Sequence, residues 1–321
     1  MNKPSPLPFL PNRGKGIVVK VPATSANLGP GFDALGLALD LWNEAEFTET
    51  VDGRVTVKVR GEGKDTLPTD ASNSIVGAAL SVYQLADKPC PGLQVKCINR
   101  VPLGSGLGSS SAAMLTGMLG ANALLGKPFS RDDILKLAIE TEGHPDNVAP
   151  AMLGGLVASI IHENQVVSLR LTLTSRRSAI HITVALPDFE FPTRQARMLL
   201  PDQIDRKDAI HNISRAVIVT EAFRIGDMDM LGEAMEDKLH QPYRIPLIPG
   251  AQNAMDAMKQ AGASAVALSG AGPSLIAFSS KREPAIGESA KRAFAEAGLD
   301  SRVFQLKVNR RGADVKESRV P

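Results

Sequence analysis

The segment Pro102–Ala112 carries the residue types and spacing in this 321-residue sequence that best suit chemistry on an anion. Its glycines at 104, 106 and 108 let backbone N–H groups approach an anion without a Cβ in the way. The serines that follow lie where we predict a helix to begin, and the N–H groups and dipole of a helix N-terminus favour phosphate. We therefore predict a phosphate-binding loop, made of Pro102, Leu103, Gly104, Ser105, Gly106, Leu107, Gly108, Ser109, Ser110, Ser111 and Ala112.

Two familiar phosphate motifs do not match this loop. A Walker A motif requires a lysine after its last glycine, and no lysine occurs between Arg100 and Lys127. The dinucleotide fingerprint is G-x-G-x-x-G, whereas the spacing here is G-x-G-x-G. From the residues alone, an ordinary strand–turn–helix connection remains the alternative.

The elements around the loop follow from periodicity and capping residues. We predict a strand at 93–98 before it and a helix at 109–125 after it, and Ser130 caps a further helix at 131–142. Other predicted strands are 17–21, 35–46, 54–60, 181–185, 265–268, 275–279 and 302–308, and other helices are 74–85, 208–224, 228–239, 251–261 and 286–297. The order in the second half suits an antiparallel sheet with helices on one face, so the class is α+β. The domain boundary is placed between residues 172 and 173.

Composition narrows the classes of partner. Lys plus Arg total 36 against 34 Asp plus Glu, and aromatic residues make up 4%, so a nucleic-acid partner is not expected. No apolar run is long enough to span a membrane. Cys90 and Cys97 match neither a zinc site nor a disulfide framework, which indicates thiols in a reducing, cytoplasmic compartment.

Three separated segments resemble the GHMP kinase superfamily: Pro22–Gly36, the loop described above, and Ala267–Ser274. This resemblance implies ATP as phosphate donor and a two-domain GHMP kinase fold. Its N-terminal domain, residues 1–172, would be ribosomal-protein-S5-domain-2-like and carry the phosphate loop. Its C-terminal domain, residues 173–321, would be a ferredoxin-like α/β sandwich.

Within the superfamily, four segments resemble the homoserine kinases: Ser25–Asp33, His144–Pro150, Thr193–Pro201 and His240–Gly250. The resemblance implies phosphorylation of L-homoserine to O-phospho-L-homoserine, a step of threonine biosynthesis, by an enzyme that is commonly a homodimer. Arg197 and Arg244 would bind the substrate carboxylate and Asp33 its ammonium group, since guanidinium groups bind carboxylates bidentately. The implied pocket also includes His144, Thr193 and Gly270, with Asn27 and Asn147 near the reacting hydroxyl.

The same resemblance implies Mg²⁺ held by Ser110 and Glu140, with Glu142 as the alternative carboxylate. We expect no dedicated general base and name Asp146 as the fallback candidate. The rival hypotheses are a kinase for mevalonate or a sugar, a catalytically inactive nucleotide sensor, and, least favoured, a nucleic-acid-binding module.

Overall fold

The computed structural model describes residues 15–163, 165–174 and 180–319. The strands are β1 Lys15–Ala26, β2 Leu35–Glu49, β3 Val55–Gly61, β4 Leu93–Asn99, β5 Leu156–His162, β6 Gln165–Leu171, β7 His181–Pro187, β8 Ala265–Leu268, β9 Leu275–Ser279, β10 Ser301–Lys307 and β11 Asp314–Arg319. The helices are α1 Ser74–Leu85, α2 Ser109–Leu124, α3 Arg131–Glu142, α4 Pro145–Leu153, α5 Thr193–Met198, α6 Arg206–Ile225, α7 Met228–Ala234, α8 Gln241–Arg244, α9 Ala251–Gln260 and α10 Pro284–Glu296.

The first sheet has seven strands in the described residues, in the order β11-β1-β2-β4-β3, with β5 paired to β2 and β6 paired to β5. The long strand β2 serves two neighbours, because its far end pairs with β4 while Leu35–Leu37 pair with β5. Strand β11 pairs antiparallel with β1. The end of the chain therefore returns to the first sheet, although the predicted boundary assigned all of residues 173–321 to the second domain.

Helix α2 is nearly all buried, and its small residues allow that. A Cβ on Gly117 would clash with the carbonyl of Ile75 in α1, and one on Gly120 would lie 2.6 Å from the ring of Phe47 in β2. Close approach to α1 and to the sheet fixes the axis of α2, so its N-terminus is held rigidly at the phosphate loop.

The second sheet has the order β10-β7-β9-β8 and is antiparallel throughout. Alternate residues of β9 face opposite sides: Leu275 packs with α9 and α10, whereas Phe278 meets Phe223 of α6 edge-on at 4.9 Å. The β-α-β-β-α-β order is that of a ferredoxin-like unit. Helices thus cover both faces of this sheet, and the expectation of one covered face was wrong because the alternation in β9 is apolar on both sides.

Across the described ranges, no helix is long and apolar enough to cross a membrane.

Candidate active site

Three loops that are far apart in the sequence meet at one cleft. The N–H of Thr24 donates to the carbonyl of Leu107 at 3.1 Å, and the N–H of Gly270 donates to Ala26 at 3.1 Å. Ser269 closes the set, since its hydroxyl donates to the carbonyl of Gly106 at 2.7 Å. These bonds join the three motif segments, and the cleft between them has a volume of about 220 Å³.

The phosphate loop needs glycine at two of these contacts. Gly106 has φ +77°, and a Cβ there would clash with the carbonyl of Ser269. Gly108 has φ +70° and would clash with the hydroxyl of Thr24. Helix α2 begins directly after Gly108, so its first N–H groups face the cleft. The loop residues that line the cleft are Gly104, Ser105, Gly106, Gly108, Ser109, Ser110 and Ser111.

The other four residues of the predicted loop do not line this cleft. Pro102, Leu107 and Ala112 are buried and support the loop from behind. Leu103 is 44% exposed and, with Gly104, borders a neighbouring cleft of about 680 Å³. Space therefore adjoins the phosphate loop on the side away from α4.

Helix α4 brings its first turn to the cleft. His144 precedes the helix, and its Nδ1 lies 2.8 Å from Oδ1 of Asp146, which is 2% exposed. Burial disfavours the imidazolium, but the hydrogen bond and the charge of Asp146 outweigh it and raise the pKa of His144. The two side chains form a buried ion pair at the wall of the cleft.

Two asparagines join the walls of the cleft through their amide groups. Asn27 donates from Nδ2 to the carbonyl of Gly270 at 2.8 Å and accepts the N–H of Asp33 at 3.0 Å. Asn147 accepts the hydroxyl hydrogen of Thr24 at 2.8 Å. Both amides are neutral and line the cleft beside the phosphate loop.

Asp33 and Arg197 form a bidentate ion pair. Nη2 of Arg197 lies 2.6 Å from Oδ1 of Asp33, and Nη1 lies 3.0 Å from Oδ2. The hydrogen bond to Asp33 raises the pKa of Arg197. Arg197 lines the cleft, together with Thr193 from the same helix α5, whereas Asp33 lies behind Arg197.

Arg244 is 1% exposed and lines the same cleft from α8. Its Nε donates to the carbonyl of Ala196 at 3.2 Å, and its guanidinium carbon lies 5.3 Å from the ring centroid of Phe32. Burial, with repulsion from Arg197, lowers the pKa of Arg244 to about 10, so the group stays cationic at neutral pH. A buried cation without a carboxylate bonded to it is a strong attractor for an anionic ligand.

Sequence reasoning missed His240 as part of this arrangement. Nδ1 of His240 accepts a hydrogen bond from Nη1 of Arg244 at 3.2 Å, while Nε2 donates to the carbonyl of Gly29 at 2.9 Å. Burial lowers the pKa of His240, so the ring is neutral, as these two partners require. The only signal in the sequence was its position four residues before Arg244, which on a helix places both side chains on one face.

The turn before α8 explains why His240 is held there. The predicted helix 228–239 ends at Ala234, and Asp237 then accepts the backbone N–H groups of His240 at 2.9 Å and Gln241 at 2.7 Å. Asn212 of α6 donates to the same carboxylate at 2.7 Å. A buried carboxylate therefore starts a new short helix and directs Arg244 into the cleft.

The structure places Glu142, not Glu140, at the cleft. Glu142 accepts a hydrogen bond from the hydroxyl of Ser111 at 2.9 Å, next to Ser110 at the start of α2. Glu140 is exposed on the other side of α3 and lies 3.8 Å from Lys136. The prediction of Glu140 is corrected here, because two residues along a helix turn the side chain to a different face. Hydroxyl and carboxylate oxygens are the donors Mg²⁺ prefers, so Ser110 and Glu142 fit that ion.

Comparisons with known proteins agree with this arrangement. The family model for the GHMP kinases N terminal domain matches residues 73–155, and that for the GHMP kinases C terminal matches residues 219–298. A curated homoserine kinase of Moorella thermoacetica is 44% identical over 298 residues, covering 93% of this chain and 99% of that protein. One of Carboxydothermus hydrogenoformans is 39% identical over 297 residues, covering 92% and 96%.

Solved structures agree as well. The crystal structure of homoserine kinase from Cytophaga hutchinsonii has a TM-score of 0.84 at 31% identity and covers 97% of this chain and 100% of that one. The fold and the cleft define a GHMP kinase, an ATP-using phosphotransferase with the two-domain fold expected from the motifs. Within that superfamily the chain belongs to the homoserine kinases.

Proposed function

We propose that this enzyme transfers the γ-phosphoryl group of ATP to the side-chain hydroxyl of L-homoserine, a step of threonine biosynthesis. One observation carries the proposal. Arg197, Arg244 and Asp33 come from three separate segments and converge beside the phosphate loop. Homoserine is a zwitterion, and it needs a cation for its carboxylate and an anion for its ammonium group. Mevalonate and sugars lack the amino group and would leave Asp33 without a ligand.

Catalysis in this proposal rests on positioning and charge. The N–H groups of the phosphate loop and the start of α2 bind the β- and γ-phosphates, and the neighbouring 680 Å³ cleft leaves room for the nucleoside. Arg197 and Arg244 hold the carboxylate, which sets the hydroxyl beside Asn27 and Asn147. Phosphoryl transfer has a loose transition state, so holding the acceptor in line and neutralising charge provide most of the rate.

We propose that no side chain acts as a dedicated general base. The carboxylate closest to the neutral amides is Asp146, and it is already bonded to His144 at 2.8 Å. In a loose transition state the hydroxyl keeps its proton until late, so a weak acceptor suffices. Asp146 then serves to hold His144 in the wall of the cleft.

Mg²⁺ belongs to the proposal, with Ser110 and Glu142 as its protein ligands. When bound, it neutralises charge on the phosphates of ATP. Ser111 orients the carboxylate of Glu142 through the 2.9 Å bond. Mg²⁺ keeps several waters and uses few protein ligands, so a single carboxylate and a hydroxyl suffice.

We also propose a homodimer formed through helix α6. Ile210, Ile213 and Val217 are 59%, 66% and 64% exposed and form one stripe along this helix. Arg206 precedes the stripe and Glu221 ends it. In an antiparallel pair with a second copy, Ile210 faces Val217 and Arg206 faces Glu221, because both pairs share one midpoint just after Ile213. The stripe is thus complementary to itself in apolar surface and in charge.

The dimer is tested by sedimentation of the wild type, Ile213→Arg, and Ile160→Arg as a control. Ile160 is 63% exposed on β5 and lies outside the stripe. A dimer is expected for the wild type and the control, and a monomer for Ile213→Arg. A monomeric wild type, or a dimer that survives Ile213→Arg, contradicts this interface. A cytoplasmic location is also proposed, and the two free thiols Cys90 and Cys97 support it.

The reaction is tested by ADP release with Mg-ATP and L-homoserine, L-threonine, L-serine or mevalonate at matched concentrations. Strong turnover is expected with L-homoserine. Turnover with mevalonate alone would retain the kinase and exclude the amino-acid site, and no turnover with any substrate would favour a nucleotide sensor.

A further inference from the structure

Asp33 and Arg197, the two groups assigned to opposite charges of the substrate, bind each other in this structure. The bond is bidentate, with contacts of 2.6 and 3.0 Å, and the two side chains are 37% and 36% exposed. Nothing else in the described chain is placed to replace either partner so directly. The amino-acid subsite is therefore closed by an ion pair of its own.

The pair is built rather than incidental. Asp33 has φ +55°, a left-handed conformation, and its N–H donates to Asn27 at 3.0 Å, which fixes where the carboxylate lies. Arg197 starts from the buried wall of α5, and its guanidinium carbon lies 5.7 Å from the ring centroid of Phe32. A residue held in this backbone region by a specific partner indicates that the position of its side chain matters.

The geometry points to a selection role: this ion pair makes the subsite specific for zwitterions. A ligand with both an ammonium group and a carboxylate replaces one ion pair by two, because its carboxylate takes Arg197 and its ammonium group takes Asp33. A ligand with one charge must break the pair and leaves the other residue without a partner. Specificity then includes a penalty against the wrong ligand as well as attraction for the right one.

This inference rests on the proposed function, and it predicts opposite effects of one substitution. In Asp33→Asn, L-homoserine loses its ammonium partner and binds more weakly. 4-Hydroxybutanoate, which has the carboxylate and hydroxyl but no amino group, binds more tightly than to the wild type, because Arg197 is no longer occupied. We expect a change of about tenfold in each direction, the size of one charge-assisted hydrogen bond.

The test is calorimetric measurement of Kd for both ligands, on the wild type and Asp33→Asn, at low salt and at 0.5 M KCl. Asp188→Asn, at the neighbouring cleft, is the matched control for loss of a carboxylate and should change neither Kd. A gain for 4-hydroxybutanoate that persists in high salt is expected, since a contact pair is screened less than a distant charge. An unchanged Kd for 4-hydroxybutanoate, or a gain that salt abolishes, overturns the inference.

A mirror experiment keeps the inference testable if Asp33→Asn does not fold. Arg197→Gln should bind 3-aminopropan-1-ol, which lacks the carboxylate, more tightly than the wild type does. An equal loss for 3-aminopropan-1-ol and L-homoserine overturns the inference. Failure of the proposed function appears differently, as a wild type that neither binds nor phosphorylates L-homoserine.

Discussion

The guanidinium of Arg244 donates a hydrogen bond from Nη1 to Nδ1 of His240 at 3.2 Å, in the buried space between the two sheets. His240 in turn donates to Gly29 at 2.9 Å and stacks on Phe32, with ring centroids 5.2 Å apart. The imidazole thus connects the loop that carries Asp33 to the arginine of α8. A neutral ring with one donor and one acceptor is needed for both bonds.

We therefore predict that His240→Ala raises the KM for L-homoserine by about tenfold, because Arg244 loses an acceptor and a packing partner. The KM for ATP should not change, since the phosphate loop is held by other contacts. His240→Gln, which retains an acceptor, should recover part of the loss. If both KM values rise together in steady-state assays, His240 supports the fold in general and does not position Arg244.

Replacing Arg244 itself should have a larger effect. In Arg244→Ala we expect kcat/KM for L-homoserine to fall by ~1.5–3 kcal/mol, the loss of one charge-assisted pair. Arg244→Lys should stay well below the wild type, because an ammonium group cannot form the bidentate fork. Arg292→Ala, an exposed arginine on α10, is the matched control. Unchanged steady-state kinetics in Arg244→Ala would remove this residue from the site.

Glu142 and Glu140 make a matched pair for the magnesium site. Glu142→Gln should raise the Mg²⁺ concentration needed for half-maximal rate by about tenfold, as loss of one metal-bound carboxylate does. Glu140→Gln should behave as the wild type, since its side chain points away toward Lys136. Rates are measured over a Mg²⁺ titration at fixed ATP. The reverse result would restore Glu140 as the ligand.

The absence of a general base is tested with Asp146→Asn and His144→Gln. If Asp146 only holds His144, both variants break the same 2.8 Å contact and should lower kcat to a similar extent. A general base contributes about 10²–10⁴-fold, so a loss of that size in Asp146→Asn alone would identify Asp146 as the base. Single-turnover rates with saturating ATP distinguish the two outcomes.

The His144–Asp146 ion pair also predicts a pH dependence of stability. The pKa of His144 is raised in the folded protein from its model value of 6.5, so folding favours the protonated ring. Its contribution is fully present below pH 6.5 and is lost as pH rises through the folded pKa. The difference in Tm between the wild type and His144→Gln should therefore be larger in acid and shrink above neutrality. A difference that does not vary with pH would contradict the ion pair.

Much of the fold is determined locally by the sequence. Helices α1 and α3 have the predicted bounds, because Asn73 and Ser130 cap them through hydrogen bonds to residues within the first turn. Helix α2 was predicted to end one residue later than it does. The helix predicted at 228–239 ended early, because Asp237 stops α7 by binding N–H groups of the next turn, a competition that periodicity does not reveal. The short helices α4, α5 and α8 and the strands β5, β6 and β11 were not predicted.

The sequence by itself determined the three motif segments, the family and the types of residue at the site, since those depend on residue identity and spacing. Only the tertiary structure decided how the residues pair. Asp33 and Arg197 are 164 positions apart, and Asn27 and Gly270 are 243 apart. Their contacts exist because the two sheets close around the cleft, and no local pattern encodes that closure. The choice between Glu142 and Glu140 was decided likewise, by which face of α3 packs against the start of α2.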